Sequence, residues 1–315
     1  MTDLISKEQL LSIMTPCYNE EENIDELYRR VSAVMRTLDY EYEHIFIDNA
    51  SSDNSVKKIK DIAAHDDRVK LIVNVRNFGH IRSPYYAILQ SRGVACISLA
   101  CDLQDPPEMI IEFVRKWEQG YKIVLAVKSI SEEPWVISYL RSSYYRFISK
   151  ISEVPLVQNA TGTGLFDRAV IEILREIKDP YPYFRGLLCE IGFPIATVPF
   201  NQPARQRGLT SNNFYTLYDM AVLGIINHSK IPLRLMVMGG FLLSLLSLVS
   251  AIGFFIAKIL FWDSFQLGSA PMLVGIFFFG AVQTFLIGVL GEYVASILTQ
   301  VRKIPLVVEA ERINF

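Results

Sequence analysis

SLACDLQDPPE, Ser98–Glu108, is an apolar run that breaks into oxygen-bearing side chains and then into two prolines. The residues leading into it, GVACISLA, are almost continuously apolar, the pattern of a strand buried on both faces. Pro106 and Pro107 have no N–H to give a ladder, so the strand stops and the next helix, EMIIEFVRKW, begins. Strand, polar turn, helix is the repeating unit of an α/β sheet, and it recurs outward from this point. LLSIMT from Leu10 is a first strand, followed by a helix over Glu21–Leu38 with Ile24, Leu27, Tyr28, Val31 and Met35 on one face. HIFIDN is a second strand, after which Asp53 caps the helix DNSVKKIKDIAAH. VKLIVN is a third strand, GVACISLA a fourth and YKIVLAV a fifth. The order predicts a mostly parallel sheet. Its strands end in PCYNEE, DNASSD, NVRNFGH and DLQD, and ligands of open α/β sheets bind outside those carboxyl ends.

Composition divides the chain. Of its 315 residues, 51% are hydrophobic, and the excess lies near the C-terminus. Leu235–Ala257 and Ser264–Gly291 contain no charged residue. Each run exceeds the roughly 20 residues that a membrane-crossing helix needs. The expected organisation is a soluble domain over 1–212, an amphipathic interfacial helix over 213–230, two transmembrane helices (233–258 and 270–296, within 231–301) and a tail over 302–315. Tyr215, Leu217, Tyr218 and Leu223 give the interfacial helix its apolar face. Lys230 and Arg234 precede the first span, and Arg302, Lys303 and Arg312 follow the second. Positive-inside then places the soluble domain and both termini in the cytoplasm and KILFWDSF outside, a multi-pass plasma-membrane protein. Met1–Leu11 carries Asp3, Lys7 and Glu8 and no apolar core, so no signal peptide is expected. A net charge of −2 gives no bulk attraction to nucleic acid. Cys17, Cys96, Cys101 and Cys189 have no CxxC spacing and read as reduced thiols.

In an extended segment, Asp102 and Gln104 point the same way, and carboxylate and amide oxygens suit a hard cation, Mg²⁺ or Mn²⁺. The same residues also fit a plain capping turn with Asp105 as N-cap. No GxxxxGK[ST] and no GxGxxG follows the first strand, which excludes the usual kinase and dehydrogenase fingerprints. TGTG at Thr161–Gly164 follows no strong strand and is weak as a phosphate loop.

TPCYNEEENI, FIDNASSDNS, NVRNFGH, DLQDPPE and the two apolar C-terminal runs together resemble the family 2 glycosyltransferases that act on polyprenyl phosphates. The resemblance spans essentially the whole chain. It implies a GT-A fold, a nucleotide-sugar donor (UDP-glucose or a related UDP-sugar, with GDP-mannose as the alternative), a polyprenyl phosphate acceptor, inversion at the sugar and a homo-oligomer, a tetramer. It further implies that Pro16, Tyr18, Glu20 and Asp48 bind the nucleotide and that Asp102 and Gln104 hold the metal. Asp102 and Asp105 are then the candidate catalytic carboxylates. Three departures stand out: Ala100 where relatives have Asp, NATGTGL where they read DxGDFRL, and DNAS in place of DDGS. Arg205 and Arg207, just before the interfacial helix, are the first candidates for the acceptor phosphate, and Arg141 and Lys128 the second. A processive polysaccharide synthase would need a QxxRW motif and more spans, both missing. A non-catalytic scaffold that kept the fold is the alternative raised by Ala100 and Gly162.

Overall fold

The computed structural model describes residues 9–128, 157, 159–201, 231–260, 269–302 and 304–315. They belong to two units: residues 1–224 with 302–315, and residues 225–301.

The first unit is an eight-stranded sheet. Its elements in chain order are β1 Leu10–Cys17, α1 Ile24–Met35, β2 Glu41–Asp48, α2 Ser55–Ala63, β3 Val69–Asn74, α3 Gly79–Gln90, β4 Ala95–Ser98, α4 Met109–Glu118, β5 Ile123–Lys128, β6 Ala160–Asp167, α5 Arg168–Ile177, α6 Phe184–Glu190, β7 Ile195–Phe200 and β8 Glu309–Ile313. The strand order is β7-β5-β6-β4-β1-β2-β3-β8. β4, β1, β2 and β3 are parallel neighbours, whereas β6 runs against both β4 and β5, and β8 runs against β3. The five expected strands are all present in a mostly parallel sheet. β6 and β7 had no counterpart in the sequence reading.

Alternation along the strands sends side chains to two cores. Leu11, Ile13, Phe46, Leu71 and Ile97 pack on Ile24, Leu27 and Val31 of α1 and on Phe113 and Trp117 of α4. Met14, Ile45, Ile47, Ile72 and Cys96 face Tyr85 of α3 and Val170, Ile171 and Leu174 of α5. The segment expected as a tail instead supplies β8. Val75 N–H donates to the Val308 carbonyl (3.0 Å), and the Asn314 amide donates to the carbonyls of Ala63 and Val69 (2.9 Å each).

The second unit contains α7, Ile231–Leu260, and α8, Ser269–Val301. Among the described residues, Phe278–Val301 is long and apolar enough to cross a membrane, and Leu233–Ser247 is a shorter apolar stretch. The expected interfacial helix and the KILFWDSF turn lie outside the described residues, apart from the last residues of α7.

His44 on β2 is fully buried against Phe46, its Nε2 3.0 Å from Thr15 Oγ1 and its Nδ1 without a partner. Burial drives its pKa down to about 3 from an ordinary 6.5. Between those values the unfolded chain binds the extra proton, so stability falls as pH falls through that window. Wild type should lose up to about 1.4 kcal/mol per pH unit below pH 6.5 relative to His44→Leu. Parallel unfolding curves at pH 7 and pH 5 would contradict this burial.

Candidate functional site

The parallel register sets the site. Cys17 at the end of β1 pairs with Asp48 at the end of β2, and Met14 pairs with Ser98 at the end of β4. The loops beyond these strands therefore emerge side by side, and hydrogen bonds knit the first two together. Buried Asp48 accepts the Ser51 N–H (2.9 Å) and the Ser51 hydroxyl (2.5 Å). Burial still pushes its carboxyl above the usual range. Ser51 Oγ accepts the Asn19 N–H (2.9 Å), and Asn19 Oδ1 accepts the Ser52 N–H (2.8 Å). Glu20 N–H donates to Ser55 Oγ (3.0 Å) and Glu21 N–H to Asp53 Oδ2 (3.1 Å), while Asn54 N–H donates back to Glu21 (2.8 Å). Asp53 thus bridges to the first loop as well as accepting Ser55 N–H at the start of α2. Tyr18, half exposed, stands beside this clamp with Pro16 and Glu20. The four nucleotide candidates share one region.

The third loop is tied in through Asn49. Its Oδ1 accepts the Phe78 N–H (2.8 Å) and the Asn74 amide (3.1 Å), and its Nδ2 donates to Asn77 Oδ1 (2.8 Å). A carboxylate at 49 has no proton for Asn77, so DNAS here goes with an asparagine ladder. Ala50, at φ 63°, occupies the left-handed region that favours glycine, at a cost of about 1 kcal/mol.

The fourth loop corrects one expectation. Residues 101–105 are not extended: Leu103 is left-handed (φ 56°), and the Gln104 N–H closes a turn onto Asp102 Oδ1 (3.2 Å). Two-residue alternation therefore does not align Asp102 with Gln104. Nor is Asp105 an N-cap, since α4 starts after Glu108 with no side-chain cap. Asp105 is buried, accepts the Thr163 hydroxyl, and keeps Oδ1 without a partner. Burial, and then the charge of Asp102, raise its carboxyl pKa. The two candidate catalytic carboxylates are therefore electrostatic neighbours.

Thr163 was missed by the sequence reading because TGTG belongs to β6 itself. Gly164 sits opposite both Ser98 and Leu125. A Cβ there would lie 2.2 Å from the Val124 carbonyl oxygen, which accounts for glycine at that departure. Lys128 closes β5 and acts electrostatically on Asp105. Arg141, Arg205 and Arg207 lie outside the described residues. Among the described residues no cluster of three or more His, Cys, Asp or Glu side chains could by itself hold a metal. The four cysteines are free thiols, three of them buried.

Parallel strands end here in acid-bearing loops at one edge of the sheet, with neither a P-loop nor a dinucleotide fingerprint. Glycosyl transferase family 2 matches residues 12–173, and the chain belongs to that family. It is 34% identical over 297 residues to an uncharacterized glycosyltransferase of Synechocystis sp., covering 94% of this chain and 93% of that one. It is 32% identical to the putative glycosyltransferase CsbB of Bacillus subtilis (95% and 91% covered). It is 29% identical to the SfII prophage-derived bactoprenol glucosyl transferase of Shigella flexneri (94% and 96% covered).

Ser51→Ala removes one of the two bonds to Asp48 and the acceptor of Asn19 N–H. Thermal unfolding should show a loss of about 1–3 kcal/mol. An unchanged melting temperature would mean that the two loops hold their places without the clamp.

Proposed function

We propose that this chain is a membrane-anchored, metal-dependent enzyme that transfers one sugar from a UDP-sugar, UDP-glucose first, to a polyprenyl phosphate at the cytosolic face. The observation that carries this reading is the near-full-length similarity to a bactoprenol glucosyl transferase, which takes in the apolar helices as well as the sheet. In this reading Pro16, Tyr18, Glu20 and Asp48 receive the nucleoside, and the strand-end loops carry the diphosphate toward Asp102.

The residues present fit a divalent cation, Mg²⁺ or Mn²⁺. Asp102 and Asp105 belong to the same short turn after β4, and Asp105 Oδ1 is buried without a partner. Mg²⁺ is commonly held by one or two carboxylates plus substrate phosphates, so a small protein ligand set is sufficient. Asp102 and Gln104 would hold the ion, with Asp105 beside them. When bound, the cation offsets negative charge developing on the leaving diphosphate. The acceptor phosphate is anionic at neutral pH, so no strong general base is required, and the absence of a carboxylate at Ala100 is tolerable. A phosphate oxygen of the lipid forms the new bond to the anomeric carbon as the bond to the nucleoside diphosphate breaks. Attack from the opposite face inverts the centre. Arg205, Arg207, Arg141 and Lys128 remain the cations offered to that phosphate.

Two crossings are proposed for the second unit. The chain leaves the sheet after β7 and returns to it at β8, which requires an even number of crossings, and Phe278–Val301 meets the length for one. Both ends of the pair then face the cytoplasm, with the intervening turn outside.

The full chain in detergent, given radiolabelled UDP- and GDP-sugars and polyprenyl phosphate, should yield lipid-extractable label from a UDP-sugar. EDTA should abolish it, and Mg²⁺ or Mn²⁺ should restore it. Asp102→Asn should lower turnover at least a hundredfold while the protein stays folded, because an amide is a poor ligand for a hard cation. Full turnover in EDTA would overturn the metal assignment. UDP-sugar binding without transfer to any polyprenyl phosphate would favour the scaffold.

A further inference from the structure

The ladder around Asn49 leaves its amide one orientation. The Phe78 N–H can only donate, so it faces Asn49 Oδ1 (2.8 Å), and the Gly79 carbonyl can only accept, so it faces Asn49 Nδ2 (3.3 Å). The Gly79 N–H fixes Asn77 Oδ1 as an acceptor in the same way (2.8 Å), and that oxygen also takes the other proton of Asn49 Nδ2 (2.8 Å). Behind them the Asn74 amide donates to Asn49 Oδ1 (3.1 Å) and to Ser83 Oγ (3.0 Å). Asn49, Asn74 and Ser83 are all buried. The Asn49 N–H donates in turn to the Cys17 carbonyl (2.9 Å). One residue thus ties the ends of β1, β2 and β3 to the start of α3.

A helix leaves its first N–H groups without partners, and α3 has no cap from the side chain of Phe78. Asn49 and Asn77 supply it from outside, meeting the Phe78 and Gly79 N–H groups. The chain enters α3 through Gly79 at φ 85°, and nothing lies within 4 Å of a Cβ added there, so glycine answers to the backbone and not to space. A carboxylate at 49 would have no proton for Asn77 Oδ1 or for the Gly79 carbonyl, and both bonds would become contacts between oxygens. Asp48 precedes Asn49, so one stretch of backbone is pinned twice. Ser51 holds it through the Asp48 carboxyl, and the third loop holds it through the Asn49 amide.

We propose that Asn49 is a positioning residue for the nucleoside: the two protons of its amide hold residues 77–79 against the end of β2, and the nucleotide binds an edge that this amide has set in advance. The proposal rests on the reading of the Asp48 region as the nucleoside site. Asn49 acts through the loop and through Asp48, without touching the ligand. What position 49 must supply is a donor, and an acid of the same size does not supply one at neutral pH. Groups held in place before the ligand arrives bind it without the cost of ordering them.

The test uses the full chain in detergent as wild type, Asn49→Asp, Asn77→Asp and Asn77→Ala. Calorimetry reads affinity for UDP and GDP with Mn²⁺ at about pH 8 and about pH 5.5, each variant is compared with wild type at the same pH, and thermal unfolding checks each fold. At pH 8 Asn49→Asp should bind the preferred nucleotide about ten- to a hundredfold more weakly, having lost two donors. An acid facing two oxygens takes up a proton more readily than a free one, and that proton restores a donor, so the deficit should shrink at least about threefold at pH 5.5. Asn77→Asp adds the same charge but keeps an oxygen for both of its donors, so it should bind at least about fivefold more tightly than Asn49→Asp. If Asn49→Asp unfolds at pH 8, Asn77→Ala decides: it removes the shared oxygen at an exposed position and should weaken binding about three- to tenfold. Affinity within twofold of wild type in the folded Asn49→Asp, or in Asn77→Ala where that variant decides, would overturn the proposal. Equal deficits in Asn49→Asp and Asn77→Asp with no recovery at low pH would also overturn it, since charge rather than a lost donor would then be the cause. If wild type binds neither nucleotide, the reading of the site fails and takes this proposal with it; binding by wild type with an unchanged variant sinks this proposal alone.

Discussion

Parallel pairing is the constraint on which this site depends. Because β4, β1, β2 and β3 run the same way, four strand-to-helix turns are delivered to one edge, each with its polar residues beyond the last ladder bond. Packing on both faces buries the strands, and the loops beyond their last ladder bonds gather polar residues at that edge. The edge is then stiffened from within. Asp48 is held by Ser51, Asn19 and Glu21 exchange bonds with the second loop, and Asn49 draws in the third. Site residues held by their neighbours' hydrogen bonds bind charge without further reorganisation.

The Asp102 turn departs from the rest of that edge. A left-handed Leu103 and a bond from the Gln104 N–H to Asp102 Oδ1 make this segment a turn rather than the extended run that would align side chains two residues apart. The second carboxylate near Asp102 is Asp105, reached through β6 and Thr163. β6 therefore does more than extend the sheet. Through Thr163 it holds an acid in place.

Much of this was legible in the sequence because periodicity and burial agree there. The face Ile24, Leu27, Val31, Met35 is buried as its spacing required, and each of the five apolar runs is a strand. β6 was illegible because ATGTGLFD contains two glycines and no valine or isoleucine. Its glycine at 164 answers to the approach of the Val124 carbonyl, a contact no local pattern reveals. β8 was missed for a related reason. EAERI is a charged, edge-type strand with one half-buried isoleucine at its end, and only the return of the chain to β3 gives it a partner. The sequence also paired Asp102 with Gln104 by assuming that the strand persisted; the turn that breaks it follows from backbone geometry rather than composition.

The central claim is that the carboxyl edge of the sheet binds a nucleoside diphosphate through a cation held at Asp102. Crystals of the full chain grown with UDP and Mn²⁺, measured at the manganese absorption edge, test it most directly. The account predicts one anomalous peak within ligand distance of Asp102, with uridine density along Pro16, Tyr18 and Asp48. A manganese peak remote from Asp102, or uridine bound away from the β1 and β2 loops, would contradict it.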